Sequence, residues 1–139
     1  MSPELALKTI IPSKLGQIED GNLTKTSSQK EFFLSEDEIA PIYMGYGGCL
    51  ATDKIVCEGM KVGYMFRESP ITPLDSGWRF FSGDEDKNYM NNNLNHGVYD
   101  LNTIVNYDPD IMELLSANIG SKFERNSSGV FEKIPFELR

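Results

Sequence analysis

The side chains best suited to chemistry lie in one acidic run, Asp84, Glu85 and Asp86, that follows an aromatic segment. The spacing Asp84-x-Asp86-x-Asn88 supplies the first three ligand positions of a calcium loop. Such a loop also needs glycine at its sixth position and a bidentate glutamate at its twelfth, and the chain has tyrosine and asparagine there. The pattern therefore favours a solvated acidic turn, and we expect no metal and no other cofactor.

Other catalytic or metal-binding patterns are incomplete. The single histidine, His96, and the two cysteines, Cys49 and Cys57, are too few and too scattered for a structural zinc site. No Gly-x-Ser-x-Gly or Cys-His signature supplies a nucleophile. His96 lies between Asn95 and Gly97, which predicts an exposed loop position. The sequence therefore predicts that the protein is not an enzyme. The enzyme alternative would need a pocket in which Asp75, Arg79 and His96 converge.

The acidity of the chain limits its classes of partner. Its 13 basic and 21 acidic residues give a formal net charge of −8. This charge argues against nucleic-acid binding, which needs a cationic face, and permits a basic protein partner. No apolar run approaches the roughly 20 residues of a membrane span, and the N-terminus lacks a signal-peptide pattern. We expect a cytoplasmic protein that binds neither nucleic acid nor membrane.

Length and composition predict one domain preceded by an arm. The 139 residues, of which 40% are hydrophobic, suffice for a single modest core. Residues 1–30 end in a polar, Thr/Ser-rich stretch, which predicts a partly ordered arm, and residues 31–139 form the domain. At the start of the domain, Glu31–Leu34 fits a short strand. Ser35 is the expected N-cap of a helix that Pro41 ends early.

The middle of the chain has the pattern of β-structure. Alternation and turn residues predict strands at Cys49–Thr52, with a continuation through Ile55–Cys57, at Lys61–Arg67, and at Trp78–Phe81. In the last of these, alternation places Trp78 and Phe80 on one face, with Arg79 and Phe81 on the other. Both faces then carry an aromatic ring. The strand is therefore central and covered on both sides, or covered on one face by a partner.

Two side chains of that strand carry further expectations. Trp78 suits either the core or an interface anchor, and its aromatic neighbours, among them Tyr64 and Phe66, favour the core. Arg79 needs an acidic partner from the neighbouring loop, because a lone buried charge is costly.

The remainder of the chain combines a loop, helices and a hairpin. Asp84–Gly97 fits a long polar loop with one helical turn, and Val98–Tyr107 fits either a helix or a strand followed by a short helix. Asp108-Pro109 marks the start of another helix, and a hairpin joins Gly120–Arg125 to Val130–Ile134. These elements predict an α+β single domain with a mainly antiparallel sheet, a few short helices and a C-terminal hairpin.

Several of these segments, in order, resemble the immunity protein 33 family. They are Gly47–Val56, Val62–Glu68 and Asp75–Glu85, followed by Leu101–Ile104, Tyr107–Ile111 and Gly120–Arg125. The resemblance spans about residues 45–133. The family is assigned by genomic setting to bacterial polymorphic toxin systems, and its members are thought to bind and neutralise a cognate toxin inside the producing cell. The resemblance implies a non-catalytic binding role and supplies no catalytic residues.

Two functions follow from the sequence: toxin neutralisation, or a small-ligand-binding or regulatory domain. If the toxin is a nuclease with a cationic active-site groove, the acidic loop could imitate phosphate. The residues predicted to contact the partner are Asp84, Glu85, Asp86, Asp75 and Arg79.

Overall fold

A six-stranded sheet organises the part of the chain that the computed structural model describes, residues 30–135. The strands are β1 (Gly48–Thr52), β2 (Tyr64–Arg67), β3 (Asp75–Phe81), β4 (His96–Asp100), β5 (Lys122–Arg125) and β6 (Phe131–Ile134). Their order across the sheet is β4-β1-β3-β2-β5-β6. The β1–β3 pair is parallel and the other pairs are antiparallel. The predicted α+β class, the mainly antiparallel sheet and the C-terminal hairpin are confirmed.

Short helices connect the strands. They are α1 (Asp53–Val56), α2 (Lys87–Asn91) and α3 (Leu101–Tyr107), with 3-10 helices at Glu36–Glu38, Asn93–Asn95 and Pro109–Leu114. Side-chain caps start several of them because the first helical N–H groups lack partners within the helix. Asp108 accepts from the Asp110 N–H at 3.1 Å, ahead of Pro109 at the first position. None of the helices in residues 30–135 is long and apolar enough to cross a bilayer.

Strand β3 is central, and all seven of its residues are buried. Trp78 and Phe80 join the larger apolar cluster, which includes residues of α1 and α3, whereas Phe81 packs in a second cluster on the other face. The Trp78 indole N–H donates to the Leu115 carbonyl at 3.2 Å. The predicted alternation is therefore confirmed, and Trp78 is a core residue. The expected grouping of Trp78 with Tyr64 and Phe66 is wrong, since those rings pack with the second cluster.

Several local predictions need correction. Glu31–Leu34 forms no strand. Ile55–Cys57 does not continue β1, because the chain turns into α1 and the Cys57 N–H donates to the Asp53 carbonyl at 2.8 Å. The strand expected from Lys61 starts at Tyr64.

The region of the predicted Asp84–Gly97 loop contains α2, a 3-10 helix and the first residues of β4. Of the two alternatives for Val98–Tyr107, a strand followed by a short helix is the one observed. The predicted N-terminal arm lies, except for Lys30, outside the described residues.

Candidate functional site

The acidic loop after β3 exposes two carboxylates and buries the third. Glu85 is only 6% exposed. Its carboxylate accepts from the Thr52 hydroxyl at 2.5 Å and from the N–H groups of Ser82 at 2.8 Å and Gly83 at 2.9 Å. Gly83 adopts a φ of +107°, a conformation that other residues rarely take. Glu85 therefore holds the turn in place and ties it to the end of β1.

The two exposed acids of this loop also have partners within the protein. Asp84 accepts from the Ser82 hydroxyl at 2.5 Å and pairs with Lys54 at 3.1 Å. The Ser82 hydrogen bond and the Lys54 ammonium hold the pKa of Asp84 below its ordinary value. Asp86 caps α2 by accepting from the Tyr89 N–H at 2.8 Å. The loop thus offers the exposed edges of Asp84 and Asp86 to solvent, and its contact with a partner stays a prediction.

A buried ion-pair cluster contains the other two residues predicted to contact a partner. Arg79 is fully buried and donates to both Asp75 carboxylate oxygens at 2.8 Å and to Glu68 at 2.7 Å. Asp75 also accepts from the N–H groups of Ile71 and Gly77, both at 2.9 Å. The structure gives Asp75 and Arg79 an internal role, and their contact with a partner remains a prediction.

The electrostatics of this cluster favour its charged form. Burial by itself would raise the pKa of Asp75, but its hydrogen bonds to Arg79 and the Arg79 charge prevail, so the pKa is lowered. Burial likewise opposes the charge of Arg79, and Asp75 and Glu68 together raise its pKa. Gly77 has a φ of +92°, and a Cβ there would lie 2.1 Å from the Glu68 carbonyl oxygen. A glycine is therefore required where the chain passes this cluster.

The three residues of the hypothetical catalytic site do not converge. Asp75 is in register with Gly48 at one end of β1, whereas His96 is in register with Thr52 at the other end. These two positions are four residues apart along β1, which is roughly 13 Å. His96 is fully buried at the start of β4, and its Nε2 lies 3.3 Å from the Met90 carbonyl oxygen. Its predicted place in an exposed loop is wrong. His96 begins β4, which pairs with β1, and its ring lies beside the Met90 carbonyl of α2.

Residues 30–135 contain no candidate metal site, and both of their cysteines are free thiols. No group of three or more histidine, cysteine, aspartate or glutamate side chains there is placed to hold a metal ion. Burial raises the pKa of Cys57 to about 11 and raises that of Cys49 further. Both are therefore protonated near neutral pH, and Cys49 is a buried small hydrophobe.

A groove beside β4 is the feature that the sequence did not reveal. Its volume is about 680 Å³. One wall is a strap, residues 39–47, and the other contains Leu74, the end of β4 and the start of α3. Met44 is 84% exposed and Tyr46 is 73% exposed on the strap, and Leu74, which also lines the groove, is 52% exposed. We call this feature the strap groove; its lining residues are Pro41, Tyr43, Met44, Gly45, Tyr46, Gly47, Gly48, Leu74, Val98, Tyr99, Asp100, Asn102 and Thr103.

Two asparagines of α3 hold the strap. The Asn102 side-chain oxygen accepts from the N–H groups of Ile42 at 3.0 Å and Tyr43 at 2.8 Å, and its amide nitrogen donates to the Ala40 carbonyl at 2.9 Å. Asn106 exchanges two hydrogen bonds with the Ala40 backbone at 2.9 Å and 2.8 Å. Residues four apart share one helix face, so the sequence could indicate that these two asparagines lie together. It could not indicate which segment they bind, because the strap is irregular and lies about 60 positions earlier.

A comparison with known protein families gives a match. A family model described as the immunity protein Imm33 domain matches residues 49–135. The chain belongs to the Imm33 family. The Imm33 match includes every strand of the sheet apart from Gly48, and it covers the acidic loop and the Arg79 cluster. The strap precedes the matched residues. The groove is therefore lined partly by residues of the Imm33 match and partly by residues before it. No curated protein and no solved structure matches the chain.

Proposed function

We propose that this Imm33 protein is a cytoplasmic, non-catalytic immunity protein that binds a cognate bacterial toxin and neutralises it. The observation that carries the proposal is the family match over residues 49–135, which spans almost the whole sheet. The separation of Asp75 and Arg79 from His96 supports binding over catalysis, because these residues assemble no shared reaction site.

The acidic loop is one surface through which the toxin could be bound. Asp84 and Asp86 are exposed at the end of the central strand, and a cationic toxin groove would complement them. Glu85 stabilises this loop from inside, because its carboxylate accepts three hydrogen bonds from within the protein. A test of the loop should therefore change Asp84 and Asp86 and leave Glu85 intact.

The alternative function, small-ligand binding, has one observation in its favour. The volume of the strap groove, about 680 Å³, falls in the range of ligand pockets, roughly 300–1,000 Å³. However, ligand pockets enclose most of their occupant, whereas Met44 and Tyr46 project into solvent at 84% and 73% exposure. This exposure is more typical of a protein interface, and it supports the toxin-binding proposal.

Titration of toxin activity tests the proposal. The proposed function predicts a gene for a multidomain toxin beside this one, and the toxic domain of that protein is the probe. We expect the full chain to restore growth of cells that express this domain, and to abolish its activity in vitro at an equimolar, time-independent endpoint. An unrelated protein of similar net charge is the control. Absence of both rescue and complex formation would refute the proposal, and time-dependent inactivation at substoichiometric amounts would show an enzyme instead.

A further inference from the structure

The strap groove concentrates exposed apolar surface on one side of the molecule. Met44, Tyr46 and Leu74 all line it, and each is more than half exposed. Ile42, on the same strap, is 44% exposed. Contiguous exposed apolar surface marks interaction sites on soluble proteins, and methionine and tyrosine are enriched in protein interfaces.

The strap is positioned before any partner arrives. Asn102 and Asn106 fix the backbone of residues 40–43 through five hydrogen bonds of 2.8–3.0 Å. Binding then requires little ordering of this segment, and less ordering means that more of the contact energy appears as affinity. The clamp binds the strap backbone at residues 40–43, whereas the Met44 and Tyr46 side chains remain exposed.

The residues that line this groove and the groove beside it include acids but no lysine or arginine. Asp100 is exposed in the strap groove, and Glu36 is exposed in an adjoining groove of about 390 Å³ that shares Tyr99 and Thr103 with it. By contrast, Lys54 pairs with Asp84 in the acidic loop. The apolar lining of the strap groove is therefore accompanied by acidic side chains and by no cationic lining residue.

We propose that the strap groove is the toxin-binding face and that its occupant is a cationic segment of the toxin. That segment would place an aliphatic or aromatic side chain between Met44, Tyr46 and Leu74, with lysine or arginine on either side facing Asp100 and Glu36. The apolar centre supplies affinity, and the acidic rim supplies orientation and rejects acidic partners. This inference rests on the proposed function, because it identifies where the toxin binds.

Calorimetry with the purified toxic domain tests the inference. The variant Met44→Ser/Tyr46→Ser changes two exposed side chains, so the fold should persist. We expect its Kd to rise by about 30-fold or more if both residues act as binding hot spots. The matched control is Leu94→Ser/Val130→Ser, which removes two exposed apolar side chains outside the groove, each 59% exposed. Its Kd should stay within about threefold of the wild-type value, as for residues outside an interface.

The outcomes separate this inference from the proposed function. If the wild type binds the toxic domain and both double variants bind equally well, the groove is not the toxin-binding face and the proposed function stands. If the wild type does not bind, the proposed function fails and the inference fails with it. Light scattering of the free chain covers another occupant: a dimer that Met44→Ser/Tyr46→Ser converts to monomer would assign the groove to a second copy and overturn the proposal.

Discussion

Single residues account for how this acidic chain buries charge in residues 30–135. Arg79 lies fully inside the sheet, and it is satisfied by Asp75 from its own strand and Glu68 from the segment after β2. The need for an acid was predictable from the position of Arg79 between two aromatic rings, because a lone buried charge is costly. The second acid was not predictable, since Glu68 reaches Arg79 only once β2 pairs with β3.

Replacing Asp75 by asparagine tests the cluster. Removal of one partner from a buried ion pair costs about 3–5 kcal/mol, and we expect a loss near the lower end because Glu68 continues to pair with Arg79. The free energy of unfolding in urea at pH 7 measures the loss. Asp84→Asn is the control, since its partly exposed pair with Lys54 should contribute about 1 kcal/mol or less. Equal losses in the two variants would contradict the structural role of Asp75.

The same variant predicts a change in acid sensitivity. The folded-state pKa of Asp75 is depressed, so its contribution to stability is complete above the unfolded-state value, about 3.9, and is lost as pH falls through the lower folded value. Asp75→Asn should therefore lose less additional stability than the wild type between about pH 5 and the acid limit. Parallel pH profiles for the two proteins would show that Asp75 does not carry this dependence.

At the scale of elements, sequence patterns identified long periodic segments and missed those set by tertiary contacts. Alternation sufficed for β3, because its two faces meet different apolar clusters. Ile55–Cys57 is a short apolar run, for which period alone cannot separate strand from helix. His96 follows polar residues that indicate a loop, yet pairing with Thr52 makes it the first residue of β4. The strap has no periodicity at all, so the strap groove could not be anticipated from the sequence.

The asparagine clamp makes a prediction about the strap. Asn102→Ala removes the acceptor of the Ile42 and Tyr43 N–H groups, so amide exchange at both positions should accelerate by roughly 2- to 10-fold. Alanine is favourable within α3, so global stability should change little. Asn118→Ala, at an exposed asparagine outside the clamp, is the control. Hydrogen exchange followed by NMR measures the effect, and unchanged exchange at Ile42 and Tyr43 would refute the clamp.

For the molecule as a whole, the structure shows where part of the net charge of −8 lies. Cations such as Lys54 and Arg79 are already paired with acids, whereas the groove walls come from stretches without lysine or arginine. Acidic side chains beside an apolar surface steer an oppositely charged partner, and such steering raises association rates by about 10- to 1,000-fold. Part of the acidity that the sequence could assign only to an unspecified basic partner thus lies beside the exposed apolar residues of the groove.

Association kinetics with the toxic domain test whether the acids beside the groove steer the partner. We expect the wild-type association rate to fall at least about tenfold between about 0.05 and 0.5 M salt, because screening shortens the reach of the field. Glu36→Gln/Asp100→Asn should lower the low-salt rate and flatten the salt dependence. Glu58→Gln/Glu124→Gln removes the same charge from exposed positions outside the groove and should do so less. If Asp84→Asn/Asp86→Asn has the larger effect, steering acts through the acidic loop, and the contact lies where the sequence predicted it.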